Sequence, residues 1–308
     1  MGARPPQIDS PMRGHLLRSA PMSTILVTGA SGFLGEALVR RLSPAHRVAG
    51  AGFRHAKDTA DLREPDAVRR LLDATQPDVV IHAAAYRDPD FCETHPDEAA
   101  RLNIDPVRAM TAALPPAARL VLISTDYVFD GESPPYREDS ERRPASVYGR
   151  TKAGAEDGAL ARPGSLVVRI PVLIGVEPAH RGRSGFVLEM ARQVLDGRPA
   201  EVDDALMRFP TWTDDVALAL EFLLDRNAAG VFHVSAPRGA TRYAWTLEVA
   251  RILGRKTDHL VPLQAPVPRP ARRPRNARLC TEKLRQAGFE GFTDFEEVAR
   301  RVFAHAGL

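Results

Sequence analysis

A chain of 308 residues, with 44% hydrophobic and 26% charged side chains, has the balance of a soluble globular protein. It is long enough for one large α/β domain with a smaller appendage, and a formal net charge of +3 excludes a strong field for nucleic acid. No apolar run approaches the ~18–20 residues of a membrane span, and two distant cysteines, Cys92 and Cys280, offer neither a disulfide framework nor a zinc site. A reducing, cytoplasmic setting suits that usage, and no metal site is expected.

Residues 1–21 scatter Pro5, Pro6, Pro11 and Pro21 among arginines and lack the apolar stretch of a secretory signal. They read as a disordered extension, with Met22 standing two residues before the first strand. There, Thr24-Ile25-Leu26-Val27-Thr28 runs straight into Gly29-Ala30-Ser31-Gly32-Phe33-Leu34-Gly35. Leu34, Leu38, Val39 and Leu42 follow at helical spacing. This is a buried strand, a tight turn and a helix. Gly29 lets the chain turn, Gly32 lets backbone approach a phosphate, and Gly35 lets helix pack on sheet. The helix N-terminus offers N–H groups and a positive dipole end to a pyrophosphate, with Ser31, Phe33 and Leu34 beside it.

Strand and helix patterns then alternate to about residue 170. Strands are predicted near residues 47–53, 78–82, 119–124 and 166–170, and helices near 64–74, 97–114 and 147–161. Short apolar strands separated by helical crossovers specify a doubly wound, Rossmann-type parallel sheet buried on both faces. Beyond Pro171 glycine, proline and arginine become frequent. A further helix over 213–226 and strand over 231–234 return to the main sheet. The organisation expected is a nucleotide-binding domain over 22–170 joined by 211–235, and a smaller α/β substrate domain over 171–210 and 236–308. Asp214 and Asp215 precede an apolar helix and read as N-terminal caps, not metal ligands.

At the end of the second strand an acidic residue would bind the adenosine ribose 2′-OH, whereas an arginine accepts a 2′-phosphate. Here Gly52-Phe53-Arg54-His55 carries no carboxylate. Arg54 therefore favours NADP, with NAD the alternative. Asp61 and Leu62 would border the adenine ring, and Ala83, Ala84 and Ala85 would leave room for the cofactor. His82 reads as a satisfied core or cofactor-side histidine.

The second informative stretch is Tyr148-Gly149-Arg150-Thr151-Lys152. Four residues apart on a helix, Tyr148 and Lys152 share a face. An ammonium beside a phenol would lower the tyrosine pKa and fit it for general acid–base work. Upstream, Ser124-Thr125-Asp126-Tyr127-Val128-Phe129-Asp130-Gly131 leaves the fourth strand at its carboxyl end, where ligands bind in open α/β sheets. Thr125 can polarise a substrate carbonyl from there. Arg269, Arg272, Arg273, Arg275 and Arg278 crowd a proline-rich segment with no interleaved aromatic to stack bases. A solvated loop is the simplest account of them, and an anion clamp for a sugar-nucleotide diphosphate the next.

These stretches resemble the extended short-chain dehydrogenase/reductase superfamily from Thr24 essentially to the C-terminus. Ser124 to Gly131, Tyr148 to Lys152, Arg208-Phe209-Pro210-Thr211 and Arg273-Pro274-Arg275-Asn276-Ala277-Arg278-Leu279 are similar to one branch of it. That branch holds dTDP-4-dehydrorhamnose reductase and the β regulatory subunit of methionine adenosyltransferase. The resemblance implies Thr125, Tyr148 and Lys152 as the catalytic set. It places Asn103 in support and Arg169 beside the cofactor. It puts Thr125, Asp126, Val128, Phe129, Arg208 and Arg275 against substrate. The implied function is NADP-dependent reduction of a nucleotide-linked 4-keto sugar. Arg169-Ile170-Pro171 and Arg208-Phe209-Pro210-Thr211 look closer to the regulatory subunit, which carries the alternative: a cofactor-binding partner of an S-adenosylmethionine synthetase. A homodimer is the other assembly expected.

Overall fold

A computed structural model describes residues 22–53, 58–64, 66–176 and 185–308. The expected extension over 1–21 lies outside them. Six parallel strands come from the first part of the chain: β1 (Thr24–Thr28), β2 (Arg47–Gly52), β3 (Asp58–Thr59), β4 (Val79–His82), β5 (Arg119–Thr125) and β6 (Leu166–Ile170). A seventh strand, Gly230–His233, pairs parallel with β6 and closes that edge. From this edge the order is the seventh strand, then β6, β5, β4, β1, β2 and β3. The order reverses where β1 sits between β4 and β2, so the crevice beyond their carboxyl ends is the switch point at which such sheets take ligands.

Apolar burial fixes the sheet. Ile25, Leu26 and Val27 are 0–1% exposed, and all five residues of β6 are buried. Each apolar side chain among them contributes about 1.5–3 kcal/mol on leaving water. One face carries α1 (Phe33–Leu42), which packs its Leu34, Leu38 and Leu42 beside Val216, Leu220 and Leu223 of a later helix. The other carries α2 (Ala67–Thr75), then α3 (Pro89–Thr94), α4 (Pro96–Asn103), α5 (Asp105–Ala113) and α6 (Val147–Leu160).

The single helix expected over 97–114 is two. Pro106 lies in the first turn of α5, where its missing N–H is harmless, whereas an uninterrupted helix would need that donor. The apolar spacing runs on across the break, which hides it from a periodicity argument.

The smaller lobe is built on α7 (Phe186–Asp196) and α9 (Arg242–Leu253), with Phe295–Ala306 as the last helix, whereas α8 (Thr213–Asp225) returns to the main sheet. Trp245 is 1% exposed and packs its ring 4.3 Å from that of Phe295. Its Nε1 donates to the Arg208 carbonyl at 3.2 Å, tying the lobe's core to a residue of the cleft.

Asp214 and Asp215 do not cap α8 as expected. Trp212 is the N-cap and makes no side-chain cap bond. Asp214 pairs with Arg40 of α1 instead, and Asp215 accepts from the Thr293 amide and hydroxyl at 2.7 and 2.9 Å. Both carboxylates stitch α8 to its neighbours.

Candidate active site

A cleft of about 1940 Å³ opens between the sheet's carboxyl ends and the smaller lobe. One lip is the glycine turn: Gly29, Ser31, Gly32, Phe33, Leu34 and Gly35 all face it. Gly29 sits at φ +72°, and a Cβ there would fall 2.7 Å from the Ala84 amide nitrogen, so only glycine fits. A Cβ at Gly35 would collide with the Gly29 carbonyl. The N-cap of α1 is Gly32, which has no side chain to satisfy the first N–H groups. Ala83, Ala84 and Ala85 continue the lip past β4. A dinucleotide pyrophosphate fits this cradle of open N–H groups and small residues.

Farther along, Phe53, Asp61 and Leu62 line the cleft. Arg54 lies outside the described residues. A residue with no motif to announce it, Arg63, dominates here. Its guanidinium takes the Asp61 carboxylate at 2.7 and 2.9 Å, donates to the Tyr86 hydroxyl at 2.9 Å, and stands 5.2 Å from the Phe53 ring centroid.

At the floor, β5 delivers Thr125 and Asp126, and α6 delivers Tyr148 and Lys152. Ser146 caps α6 by accepting from the Gly149 amide at 3.2 Å, which fixes where the Tyr–Lys face begins. The Tyr148 ring meets Tyr127 edge-on at 5.5 Å.

The expected lowering of the Tyr148 pKa is reversed. Burial pushes the phenol above its ordinary value, opposed by the Thr125 hydrogen bond. A phenol so held keeps its proton at neutral pH, as a general acid must. Burial also lowers the Lys152 ammonium to about 8, opposed by the Glu156 charge one turn away.

Four expected site residues stand behind the cleft rather than on it. Val128 and Phe129 are fully buried against Tyr136 and Leu279 and carry the turn that holds Thr125. Arg169 is corrected as a cofactor contact. It is 3% exposed, grips Glu156 through two bonds of 2.9 and 2.8 Å, and donates to the Glu138 carbonyl at 3.2 Å. Asn103 supports the wall: it accepts from the Tyr86 amide at 2.8 Å and donates to Thr151 at 2.9 Å. His82 is only half satisfied. Its Nδ1 meets Thr28 at 2.7 Å while Nε2 has no partner, and burial followed by the Lys152 charge lowers it to about 3.

The far wall is cationic. Arg208, Arg273 and Arg275 all line it. Arg273 clamps Asp90 of α3 with bonds of 2.5 and 2.8 Å and Arg272 pairs with Glu132 at 2.7 Å, so the segment is pinned to the sheet domain through Arg273 while Arg269, Arg272, Arg275 and Arg278 stay exposed. Asp90 is lowered to about 2 chiefly by the Arg273 hydrogen bond. Among the described residues no cluster could hold a metal ion, and no helix is long and apolar enough to cross a membrane.

A doubly wound sheet, a glycine turn at its switch point and a Thr-Tyr-Lys cluster define an extended short-chain dehydrogenase/reductase. The RmlD substrate binding domain family matches residues 22–307, and the chain belongs to that family. It is 35% identical over 288 residues to methionine adenosyltransferase 2 subunit beta of Bos taurus, covering 89% of this chain and 85% of the relative. It is 36% identical over 286 residues to the probable dTDP-4,6-dihydroxy-2-methyloxan-3-one 4-ketoreductase of Streptomyces antibioticus, covering 90% and 94%. The solved dTDP-4-dehydrorhamnose reductase of Clostridium acetobutylicum superposes with TM-score 0.82 at 28% identity, over 92% of this chain and 100% of that one. The Bacillus anthracis enzyme in complex with NADP gives TM-score 0.82 at 25% identity, over 92% and 99%.

Proposed function

We propose that the protein is an NADP-dependent reductase of a nucleotide-linked 4-keto sugar. The observation that carries this reading is the joint placement of Thr125, Tyr148 and Lys152 on the floor of a cleft with a pyrophosphate cradle on one lip and arginines on the other. Gly29 to Gly35 would hold the dinucleotide, with Asp61 and Leu62 at its adenine end. Arg208, Arg273 and Arg275 would face the second diphosphate, which belongs to the substrate. Bound there, the dihydronicotinamide supplies a hydride to the carbonyl carbon. Thr125 aligns the carbonyl and Tyr148 gives its proton to the developing alkoxide. Lys152 stabilises the phenolate left behind and holds a ribose hydroxyl.

A second reading rests on the 35% identity to methionine adenosyltransferase 2 subunit beta: a cofactor-binding regulatory subunit of an S-adenosylmethionine synthetase. One experiment separates the two. The protein is assayed for NADPH oxidation across dTDP- and other nucleoside-diphosphate 4-keto sugars, and in parallel used to capture a purified S-adenosylmethionine synthetase. Turnover of one keto sugar supports the reductase. No turnover together with stoichiometric capture of the synthetase overturns it.

A further inference from the structure

The carboxyl ends of β2 and β3 meet the cleft through Gly52, Phe53, Asp61, Leu62 and Arg63. The strands pair with Gly52 opposite Thr59, and the Ala60 amide donates to the Gly52 carbonyl at 3.0 Å, so Asp61 stands beside the end of β2. In sheets of this kind a carboxylate at that place takes the adenosine ribose 2′-OH, and the same charge repels a 2′-phosphate. By position alone, Asp61 marks a site for NAD.

Both of its oxygens are already taken. Oδ1 accepts from the Arg63 amide at 3.0 Å and from Arg63 Nε at 2.9 Å, and Oδ2 accepts from Nη2 at 2.7 Å. This two-pronged pairing adds direction to charge. The third nitrogen, Nη1, donates to the Tyr86 hydroxyl at 2.9 Å, and the Phe53 ring centroid lies 5.2 Å from the guanidinium carbon. Tyr86 is itself held: Asn103 accepts from its amide at 2.8 Å and donates to its carbonyl at 3.1 Å, and its ring centroid stands 4.8 Å from that of Phe91. Arg63 is thus fixed from three sides before any ligand arrives, and its fork is spent on Asp61. With side chains 32% and 24% exposed, the two residues form part of the cleft wall and present no net charge to it.

We propose that Arg63 is a cofactor-specificity residue: by neutralising Asp61 it turns the carboxylate position of an NAD site into one that accepts the 2′-phosphate of NADP. This rests on the cofactor half of the reductase reading and needs no turnover. The discrimination lies in the pair and not in a phosphate contact by Arg63 alone, because the prongs that would grip a phosphate are filled.

The test uses the full-length chain. Dissociation constants for NADPH and NADH are measured by fluorescence titration and their ratio is followed, since adenine contacts common to both cofactors cancel in it. In Arg63→Ala the uncovered Asp61 charge should lower the preference for NADPH by about tenfold or more. Asp61→Asn added to that variant removes the charge and should restore the preference to within about threefold of wild type. Asp61→Asn alone leaves the Arg63 charge unbalanced and should raise the preference, whereas a merely structural loss would not favour NADPH. An unmoved ratio in Arg63→Ala overturns the proposal. So does a double variant as poor toward NADPH as Arg63→Ala, which would make Arg63 a direct phosphate ligand, and so does a lowered preference in Asp61→Asn. A chain that binds neither dinucleotide removes the cofactor reading and this proposal together, while one that binds both with unmoved ratios removes the proposal alone.

Discussion

Glu156 lies one helical turn beyond Lys152 on α6 and receives the Arg169 guanidinium on both of its carboxylate oxygens. The pair is dry, at 0% and 3% side-chain exposure. Ser124 also donates to Glu156 at 2.5 Å, and Arg142 reaches it at 3.2 Å. One carboxylate thus joins β5, β6 and α6 immediately behind Thr125 and Lys152.

Removing that carboxylate leaves Arg169 buried without its partner. Glu156→Gln is expected to destabilise the fold by about 3–5 kcal/mol, read from urea midpoints at constant slope. Glu156→Leu with Arg169→Met removes both charges and should recover most of the loss. A double variant no better than the single would show that the cost lies in packing rather than in the orphaned charge.

Lys152 gives an alkaline limb. Its ammonium is held at about 8 by burial, so the charge needed beside the phenolate is present below that pH and disappears above it. Turnover should fall as pH rises through 8. Glu156 opposes the lowering, so in a folded Glu156→Gln protein the limb moves to lower pH. A limb that stays in place in that variant would contradict the assignment.

Two histidines set the acid stability. His82 and His233 are both lowered to about 3, chiefly by burial, from the 6.5 of the unfolded chain. Between those values the unfolded state binds protons that the folded state refuses. Stability is therefore highest above pH 6.5 and falls as pH drops toward 3, by up to about 1.4 kcal/mol per pH unit for each histidine. Asn in place of His82 can still bond Thr28 but cannot take up that proton, so His82→Asn should flatten the slope of stability against pH. An unchanged slope would place the effect elsewhere.

The sheet was legible because its strands are apolar and uninterrupted; β6 falls on the expected residues 166–170 to the residue. The glycine turn and the Tyr148–Lys152 spacing were legible for the same reason: local geometry imposes them. Burial was not. The same Tyr–Lys spacing suggests a lowered phenol pKa, and only the depth of the site reverses the sign. Arg169 stands one residue before the end of β6, yet its partner lies 13 residues back on α6 and its guanidinium turns inward. Glu156 carried one signal, its helical spacing from Lys152. Arg63 carried none beyond standing two residues from Asp61.

Arg54 gives a prediction from the sequence. With no carboxylate at the end of β2, NADPH should bind more tightly than NADH. Arg54→Ala should weaken NADPH and barely change NADH, by fluorescence titration of each. Equal affinities in the unsubstituted protein would remove the assignment.

Tyr148→Phe separates proton transfer from binding. The ring and its edge contact with Tyr127 remain, and only the hydroxyl is lost. Because the phenol is held protonated, its proton is the one at hand for the carbonyl oxygen, and turnover should fall by about 10²–10⁴. The dissociation constant for NADPH should hardly move, since the cradle from Gly29 to Gly35 and the adenine end at Asp61 are untouched. Lys152→Met should damage both, losing the charge beside the phenolate and a ribose contact together. In a regulatory subunit Tyr148→Phe would be silent, and capture of a synthetase would survive it. A variant that loses cofactor affinity in step with turnover would mean that Tyr148 holds the dinucleotide rather than protonating the substrate.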